Sequence, residues 1–267
     1  MFMKVSGFTI VRNAVKFDYP VLESIQSVLP IVDEFIVSVG NCDDGTLELI
    51  ESIRSPKIKI VHSVWDDSIK EDGKVLADET NKAFDLVGAD SDWAFYIQGD
   101  ECIHEKYHAS ILEAAQRHLA DRRVDGLLFN YLHFYGTYDY VGDSRKWYDK
   151  EVRLIRNDRS IRAYKDAQGF RRNGEKIRVK LAHAWVFHYG WVKSAEQMKE
   201  KVRSALELWQ ERKERAVSPV EVFDVNDYDS LKRFTGTHPA VMKERLATRN
   251  WDMKFDLSRN RMTLKNR

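Results

Sequence analysis

Short apolar runs alternate with amphipathic stretches through the first half of the chain. The runs at 8–11, 34–39, 58–62, 93–97 and 124–134 have the length and composition of buried strands. Between them, 21–29, 46–54, 78–86 and 108–119 repeat apolar residues at helical spacing. The alternation predicts a mainly parallel sheet covered by crossover helices, an α/β fold of the Rossmann-like kind.

The pattern changes after Gly136. Polar, aromatic and basic residues dominate 138–180, where 151–155 is the one strand-like stretch, and 181–189 predicts a further strand. A long helix is predicted from Ser194, with Gln197 completing a capping box and a stripe of Met198, Val202, Ala205 and Trp209. Another helix is predicted from Pro239 through AVMKERLA. We therefore expect a main domain over 1–192 and a helical C-terminal extension over 193–267.

Composition places the chain among ordinary globular proteins. Of its 267 residues, 43% are hydrophobic and 32% are charged, a balance that can bury a sizeable core. No apolar run approaches the length of a membrane span, and the first residues lack the features of a secretory leader. We therefore expect a cytoplasmic protein. Cys42 and Cys102 lack metal-ligand spacing and are expected to be small buried residues.

A net charge of +1 hides a strong asymmetry. Residues 1–144 hold 13 Lys/Arg and 25 Asp/Glu, whereas 145–267 hold 30 and 17. The two halves either attract each other through a mixed surface, or form a cleft in which carboxylates hold a metal ion and cations face phosphates.

Polar residues follow three of the predicted strands directly. Arg12 and Asn13 follow the first, GNCDDG at 40–45 follows the second, and QGDE at 98–101 follows the fourth. Because ligands bind beyond the carboxyl ends of parallel strands, these residues are expected along one edge of the sheet. Asp100 and Glu101 supply the oxygen ligands that Mg²⁺ and Mn²⁺ prefer, unless they only cap the segment that follows.

The ordered set IVRNA, VGNCDDGT and WAFYIQGDE resembles GT-A fold glycosyltransferases of family 2. The resemblance covers about 5–135 well, and HYGWVK and FTGTHPAVMKER extend it loosely toward a bacterial branch. It implies a metal-dependent, inverting transfer of a sugar from a nucleotide-diphosphate sugar, with Mn²⁺ or Mg²⁺ as cofactor. Two positions depart from the pattern, because Gln98 and Val39 stand where the family usually has aspartate.

The resemblance also implies roles for individual residues. The metal would be held by Asp100, Glu101 and His188, although His188 could equally be an ordinary strand histidine. Residues expected to contact the nucleotide-sugar are Val11, Arg12, Asn13, Gly40, Asp44, Lys74, Gln98, Gly99, Trp191 and Lys193. Arg171 is a further candidate cation for the leaving diphosphate.

Inversion needs a single general base for the acceptor hydroxyl. Asp166 in AYKDAQGFR is the first candidate, and Asp139 and Asp143 are its rivals. A solvated loop aspartate is the alternative interpretation of Asp166.

The acceptor is open to several interpretations. A saccharide or lipid-linked acceptor in surface glycan synthesis is expected first, with peripheral membrane contact through basic faces. The basic second half also allows a nucleic-acid acceptor. A non-catalytic nucleotide-binding or interaction domain is the third hypothesis, suggested by Gln98 and Val39. A sugar nucleotidyltransferase is disfavoured, because no glycine-rich phosphate loop lies near the N-terminus.

Overall fold

The computed structural model describes residues 3–69, 73–208 and 228–258. The helices are α1 (Val21–Val28), α2 (Thr46–Glu51), α3 (Lys74–Asp85), α4 (His108–Arg117), α5 (Ala195–Leu208) and α6 (Lys243–Thr248). The strands are β1 (Val5–Val11), β2 (Glu34–Val39), β3 (Ile58–His62), β4 (Trp93–Tyr96), β5 (Glu101–Ile103), β6 (Gly126–Tyr135), β7 (Tyr140–Gly142), β8 (Lys150–Arg156), β9 (Ile161–Tyr164), β10 (Gly169–Arg172), β11 (Glu175–Lys176), β12 (Val179–Trp191) and β13 (Leu231–Arg233).

The main sheet is mixed and mainly parallel, as the alternating sequence pattern predicts. Strands β3, β2, β1 and β4 lie side by side and parallel. Strand β8 joins β4 and β6 antiparallel, and β12 runs parallel to β6 and antiparallel to β5. The chain leaves β1 toward β2 on one side and later returns to β4 on the other. This reversal makes the carboxyl ends of β1 and β4 a topological switch point.

Alternating side chains of the strands fill a core on each face of the sheet. On one face Phe35 and Phe95 pack with α1 and α4. On the other face Phe8 and Tyr96 pack with α3 and the β9–β10 hairpin. Both faces are therefore covered, which is why β1, β2 and β4 are buried at nearly every position.

The basic stretch after β8 forms a small antiparallel sheet that the sequence pattern does not predict. Its order is β11–β10–β9, and its inward side chains are Ile161, Ala163 and Phe170. Arg162 on β9 and the adjacent Arg171 and Arg172 on β10 make these short strands look polar, so their apolar side is not evident from the sequence. The hairpin packs against α3, and Asp166 in its turn lies beside Arg12 and Gln98 at the carboxyl edge of the main sheet.

A helical C-terminal extension, which the sequence suggests, is not evident in the described residues 193–208 and 228–258. Helix α5 begins with the predicted capping box, in which the Ser194 N–H donates to Gln197 Oε1 (3.0 Å) and the Gln197 N–H donates to Ser194 Oγ (3.3 Å). Met198 is fully buried, and Trp209 lies outside the described residues. Strand β13 then pairs with β7 of the main sheet, and α6 is short. No described helix is long and apolar enough to cross a membrane.

Ion pairs connect the acidic and basic halves of the chain. They include Arg172–Asp125 (2.7 Å), Arg245–Asp18 (2.6 Å), Arg162–Asp85 (2.6 Å), Lys232–Asp143 (2.9 Å) and Arg249–Asp139 (3.0 Å). Part of the charge asymmetry is therefore neutralised within the fold. These ion pairs favour the interpretation in which the two halves of the chain attract each other.

Candidate active site at the strand ends

A cleft of about 170 Å³ lies at the switch point, between the carboxyl ends of β1 and β4. The residues in its lining that the sequence predicts are Val11, Arg12, Gln98, Gly99, Asp100 and Asp166. The cleft is also lined by Tyr19 and Trp65, which the sequence does not single out. Residues that are distant in the sequence thus converge where an open α/β sheet binds its ligands.

A larger cavity, of about 830 Å³, lies at the opposite ends of the strands. Its lining includes Val5 at the start of β1, Asp33 before β2 and Lys57 before β3. It holds none of the residues that the sequence predicts for chemistry. We therefore assign the smaller cleft as the candidate active site, since the fold places binding loops there.

Asp100 stands at the centre of the polar groups of this site. It directly precedes β5, and β5 pairs with β12 so that Glu101 faces His188 across the ladder. Asp100 Oδ2 lies 3.5 Å from His188 Nε2 and 3.7 Å from Lys201 Nζ. Lys201 also donates to the Gly190 carbonyl (2.7 Å), which fixes the ammonium beside the carboxylate. The sequence gives no sign of Lys201, because it belongs to an ordinary amphipathic helix.

Asp100 remains ionised in this surrounding. Burial alone raises the pKa of Asp100, but His188, Lys201 and Lys193 outweigh it and hold the pKa well below its usual range. Burial, reinforced by the Lys201 charge, lowers the pKa of Lys193 to about 7. Lys193 is fully buried, donates to the Phe17 and Asp18 carbonyls, and lies 4.7 Å from the Tyr19 ring. It therefore ties the loop after β1 to β12.

The Glu101 carboxylate is enclosed by hydrogen-bond donors and is not open to a ligand. Its side chain is fully buried, and Arg153 donates to both carboxylate oxygens at 2.8 Å. The Tyr131 hydroxyl donates to Oε1 (2.8 Å), and the Gln98 N–H donates to Oε2 (3.2 Å). Because these donors already occupy its oxygens, the geometry favours Asp100 over Glu101 as a metal ligand. Gln98 faces the same cluster, since Arg153 lies 3.5 Å from Gln98 Oε1.

Asn13 and Asp44 fix the loops that follow β1 and β2. Asp44 accepts from the Thr46 hydroxyl (2.6 Å) and from the Lys16 N–H (2.7 Å). Asn13 has a left-handed backbone (φ 52°), and its Oδ1 accepts from the Asp43 N–H (3.3 Å). Asn13 and Asp44, which the sequence predicts to contact the nucleotide-sugar, thus hold the two loops together. Neither residue lines the cleft.

Arg12 forms one wall of the cleft together with Trp65. The guanidinium lies 5.6 Å from the Trp65 ring and donates to Asp67 (3.0 Å). A side chain at Gly40 would collide with the Trp65 indole, at 2.7 Å from Nε1. Gly40 therefore makes room for this aromatic wall. Among the residues that the structure describes, the buried Trp65 Nε1 has no hydrogen-bond partner.

Asp166 lies in the cleft lining on a strained turn between β9 and β10. Its neighbours Lys165 and Ala167 both adopt positive φ, at 56° and 59°. Each such residue costs about 1–2 kcal/mol, and strain of this kind clusters at functional sites. The rivals Asp139 and Asp143 pair instead with Arg249 and Lys232 and are absent from the cleft lining.

The remaining predicted residues lie at or beyond the edge of the cleft. Lys74 is exposed at the start of α3, and Arg171 lies over the Tyr164 ring (4.5 Å). Trp191 reaches the site indirectly, with its ring 4.9 Å from Lys201 Nζ.

The donor set around Asp100 fits a divalent cation that also binds phosphate. No three His, Cys, Asp or Glu side chains in the described part of the chain are grouped as a complete protein-only metal site. Mg²⁺ and Mn²⁺ beside nucleotides commonly take one or two protein ligands and complete their shell with phosphate and water. Asp100 Oδ2 and His188 Nε2, 3.5 Å apart, supply such a pair.

Comparison with known proteins identifies distant structural likenesses. No family model matches the sequence, and no curated protein matches it significantly. S. aureus TarS 1–349 is 15% identical with a TM-score of 0.40, and the same comparison values hold for its complex with UDP. The matched regions cover 77% of this chain and 65% of TarS 1–349. The 4-diphosphocytidyl-2C-methyl-D-erythritol synthase from Anaerococcus prevotii is 12% identical, with 73% and 95% covered and a TM-score of 0.42.

Proposed function

We propose that this chain is a glycosyltransferase that takes a sugar from a nucleoside-diphosphate donor. One observation carries the proposal: Asp100, at the switch point of the sheet, is surrounded by His188, Lys201 and Lys193. A carboxylate beside an imidazole and two lysine side chains suits a metal–diphosphate complex, because the carboxylate and the imidazole can bind the metal and the lysines attract phosphate oxygens. The resemblance of the strand-end motifs to family 2 supports the same conclusion.

Asp100 and His188 would hold Mn²⁺ or Mg²⁺. Once bound, the metal would neutralise charge on the diphosphate. Glu101 is left out of this ligand set, because Arg153 occupies its carboxylate.

The leaving diphosphate gains negative charge as its bond to the sugar breaks. The Lys201 ammonium lies 3.7 Å from the Asp100 carboxylate and is held in place by the Gly190 carbonyl. A fixed cation of this kind stabilises developing charge without reorganising during the reaction. Arg12 and Trp65 are proposed to form the wall against the nucleoside.

Asp166 is proposed as the general base of an inverting reaction. The acceptor hydroxyl oxygen attacks the anomeric carbon on the side opposite the diphosphate, and the Asp166 carboxylate takes the hydroxyl proton. The bond from the anomeric carbon to the diphosphate oxygen breaks, and the nucleoside diphosphate leaves with the electron pair. The position of Asp166 in the lining of the same cleft as Asp100 supports this role.

The acceptor is proposed to be a saccharide or a lipid-linked saccharide, met in the cytoplasm or at a membrane surface. The nucleic-acid alternative loses support, because many basic residues of the second half pair with carboxylates of the first.

Donor hydrolysis tests the proposal without knowledge of the acceptor. UDP-, GDP-, CDP-, ADP- and dTDP-sugars would be incubated with the protein, with and without Mn²⁺, and the released nucleoside diphosphate measured. We expect Mn²⁺-dependent release from one donor class and its loss in Asp100→Asn. Pyrophosphate formation from a nucleoside triphosphate and a sugar phosphate would instead indicate nucleotidyl transfer. Release that Asp100→Asn leaves unchanged would exclude the proposed site.

A further inference from the structure

Two histidines stand side by side beneath the candidate metal site. His133 on β6 and His188 on β12 are register partners in the parallel ladder. Their Nδ1 atoms lie 3.1 Å apart, and both side chains are buried. Two ring nitrogens at this distance form a hydrogen bond only when one carries the proton and the other offers its lone pair.

The other nitrogen of His133 decides which ring donates. His133 Nε2 lies 2.8 Å from the Tyr148 carbonyl oxygen, which can only accept. The single proton of a neutral His133 is therefore on Nε2, and its Nδ1 is left as an acceptor. His188 must then carry its proton on Nδ1 and donate it to His133.

His133 is held firmly in this role. Its ring stacks on Trp147 at 5.2 Å and on Tyr131 at 5.4 Å, and the Tyr148 ring meets its edge at 4.3 Å. Both the orientation and the tautomer of His133 are thus set by its surroundings.

The consequence appears at the opposite side of the His188 ring. With the proton on Nδ1, His188 Nε2 presents a lone pair toward Asp100 Oδ2, 3.5 Å away. Two acceptors facing each other are stable only with a cation or a proton between them. We propose that His133 is a positioning residue that fixes His188 in the Nδ1–H tautomer and so keeps Nε2 available to a divalent cation held by Asp100. This inference rests on the metal site of the proposed function.

The test separates hydrogen bonding from packing with two variants. His133→Asn keeps an acceptor, because the amide oxygen reaches about where the imidazole Nδ1 lies, but loses the stacked ring. His133→Phe keeps a ring between Trp147 and Tyr131 but removes the acceptor. If His133 serves only for packing, Mn²⁺ affinity should be higher in His133→Phe than in His133→Asn. If His133 positions His188, Mn²⁺ affinity should be higher in His133→Asn.

Two measurements report the outcome independently. The first is ¹⁵N NMR of histidine-labelled, metal-free protein at alkaline pH, with His188 assigned by its loss in His188→Gln. The second is Mn²⁺ affinity, measured from the EPR signal of free Mn²⁺. We expect His188 to be protonated at Nδ1 in wild type and His133→Asn, and to shift toward Nε2–H in His133→Phe. Mn²⁺ affinity should fall about 10–100-fold in His133→Phe and stay close to wild type in His133→Asn.

Each contrary result has a distinct meaning. An unchanged His188 tautomer in His133→Phe, or Mn²⁺ affinity higher in the Phe than in the Asn variant, would overturn the positioning role. A wild-type protein that binds no Mn²⁺ would refute the metal site of the proposed function. In that case the NMR tautomers alone decide whether His133 orients His188.

Discussion

Gly190→Ala should disable the candidate metal site through a single methyl group. The backbone of Gly190 does not have positive φ, so alanine is tolerated there conformationally and only its Cβ matters. That Cβ would lie 2.9 Å from His188 Nε2, and closer still to Asp100 Oδ2, where ordinary contacts begin near 3.4 Å. His188 must therefore move by about half an ångström and the Asp100 carboxylate by more. We expect a stability cost of ~1–3 kcal/mol for this overpacking.

The larger effect should fall on function. Displacement of a site residue by about 1 Å commonly costs on the order of 100-fold in rate, so we expect Mn²⁺-dependent donor hydrolysis to fall by about that factor. Mn²⁺ binding should weaken at least about tenfold by EPR titration, since the ligand geometry is disturbed. Gly99→Ala is the matched control for folding and Mn²⁺ affinity, because its Cβ would meet only Val21, at 3.6 Å. Wild-type Mn²⁺ affinity in a folded Gly190→Ala protein would refute the assignment of Asp100 and His188 as ligands.

Three further variants test other parts of the account. Asp166→Asn should slow glycosyl transfer by ~10²–10⁴-fold and leave donor affinity unchanged in calorimetry, and a fully active variant would remove Asp166 as the base. Arg153→Met should cost about 3–5 kcal/mol in urea unfolding, because it leaves the Glu101 charge buried and unpaired; a loss below about 1 kcal/mol would contradict this. Burial lowers the pKa of His238 from 6.5 to about 4. The folded protein therefore binds this proton less readily than the unfolded chain, and stability is complete above pH 6.5 and declines as the pH falls toward 4. His238→Phe should lose about 1–2 kcal/mol less than wild type between pH 7 and pH 5 in urea unfolding, and equal losses would contradict the assignment.

The sheet could be predicted from the sequence, because each central strand is an apolar run bounded by turn residues. The runs at 34–39 and 58–62 match β2 and β3, and that at 93–97 extends one residue beyond β4 (Trp93–Tyr96). The carboxyl-edge residues Arg12, Gln98 and Asp100 follow from the same pattern, since parallel strands end at one edge. The capping box of α5 is another local signal that the structure confirms.

The partners of those edge residues could not be predicted, because they depend on contacts between distant segments. Whether Glu101 or Asp100 faces the cleft is decided by Arg153 on β8, which no spacing rule connects to β5. Lys201 reaches Asp100 only because its position on α5 brings it to the Gly190 carbonyl of β12. The β9–β10 hairpin, which places Asp166 in the cleft, could not be predicted because its arginines make its short strands look polar.

Donor binding is the most direct test of the central claim. A panel of nucleotide-diphosphate sugars would be titrated by calorimetry, with and without Mn²⁺, into wild type and Asp100→Ala. The account predicts that one donor binds wild type, that binding strengthens with Mn²⁺, and that Asp100→Ala abolishes the Mn²⁺ effect. A wild-type protein that binds no donor under any metal condition would contradict the account and favour a non-catalytic interaction domain.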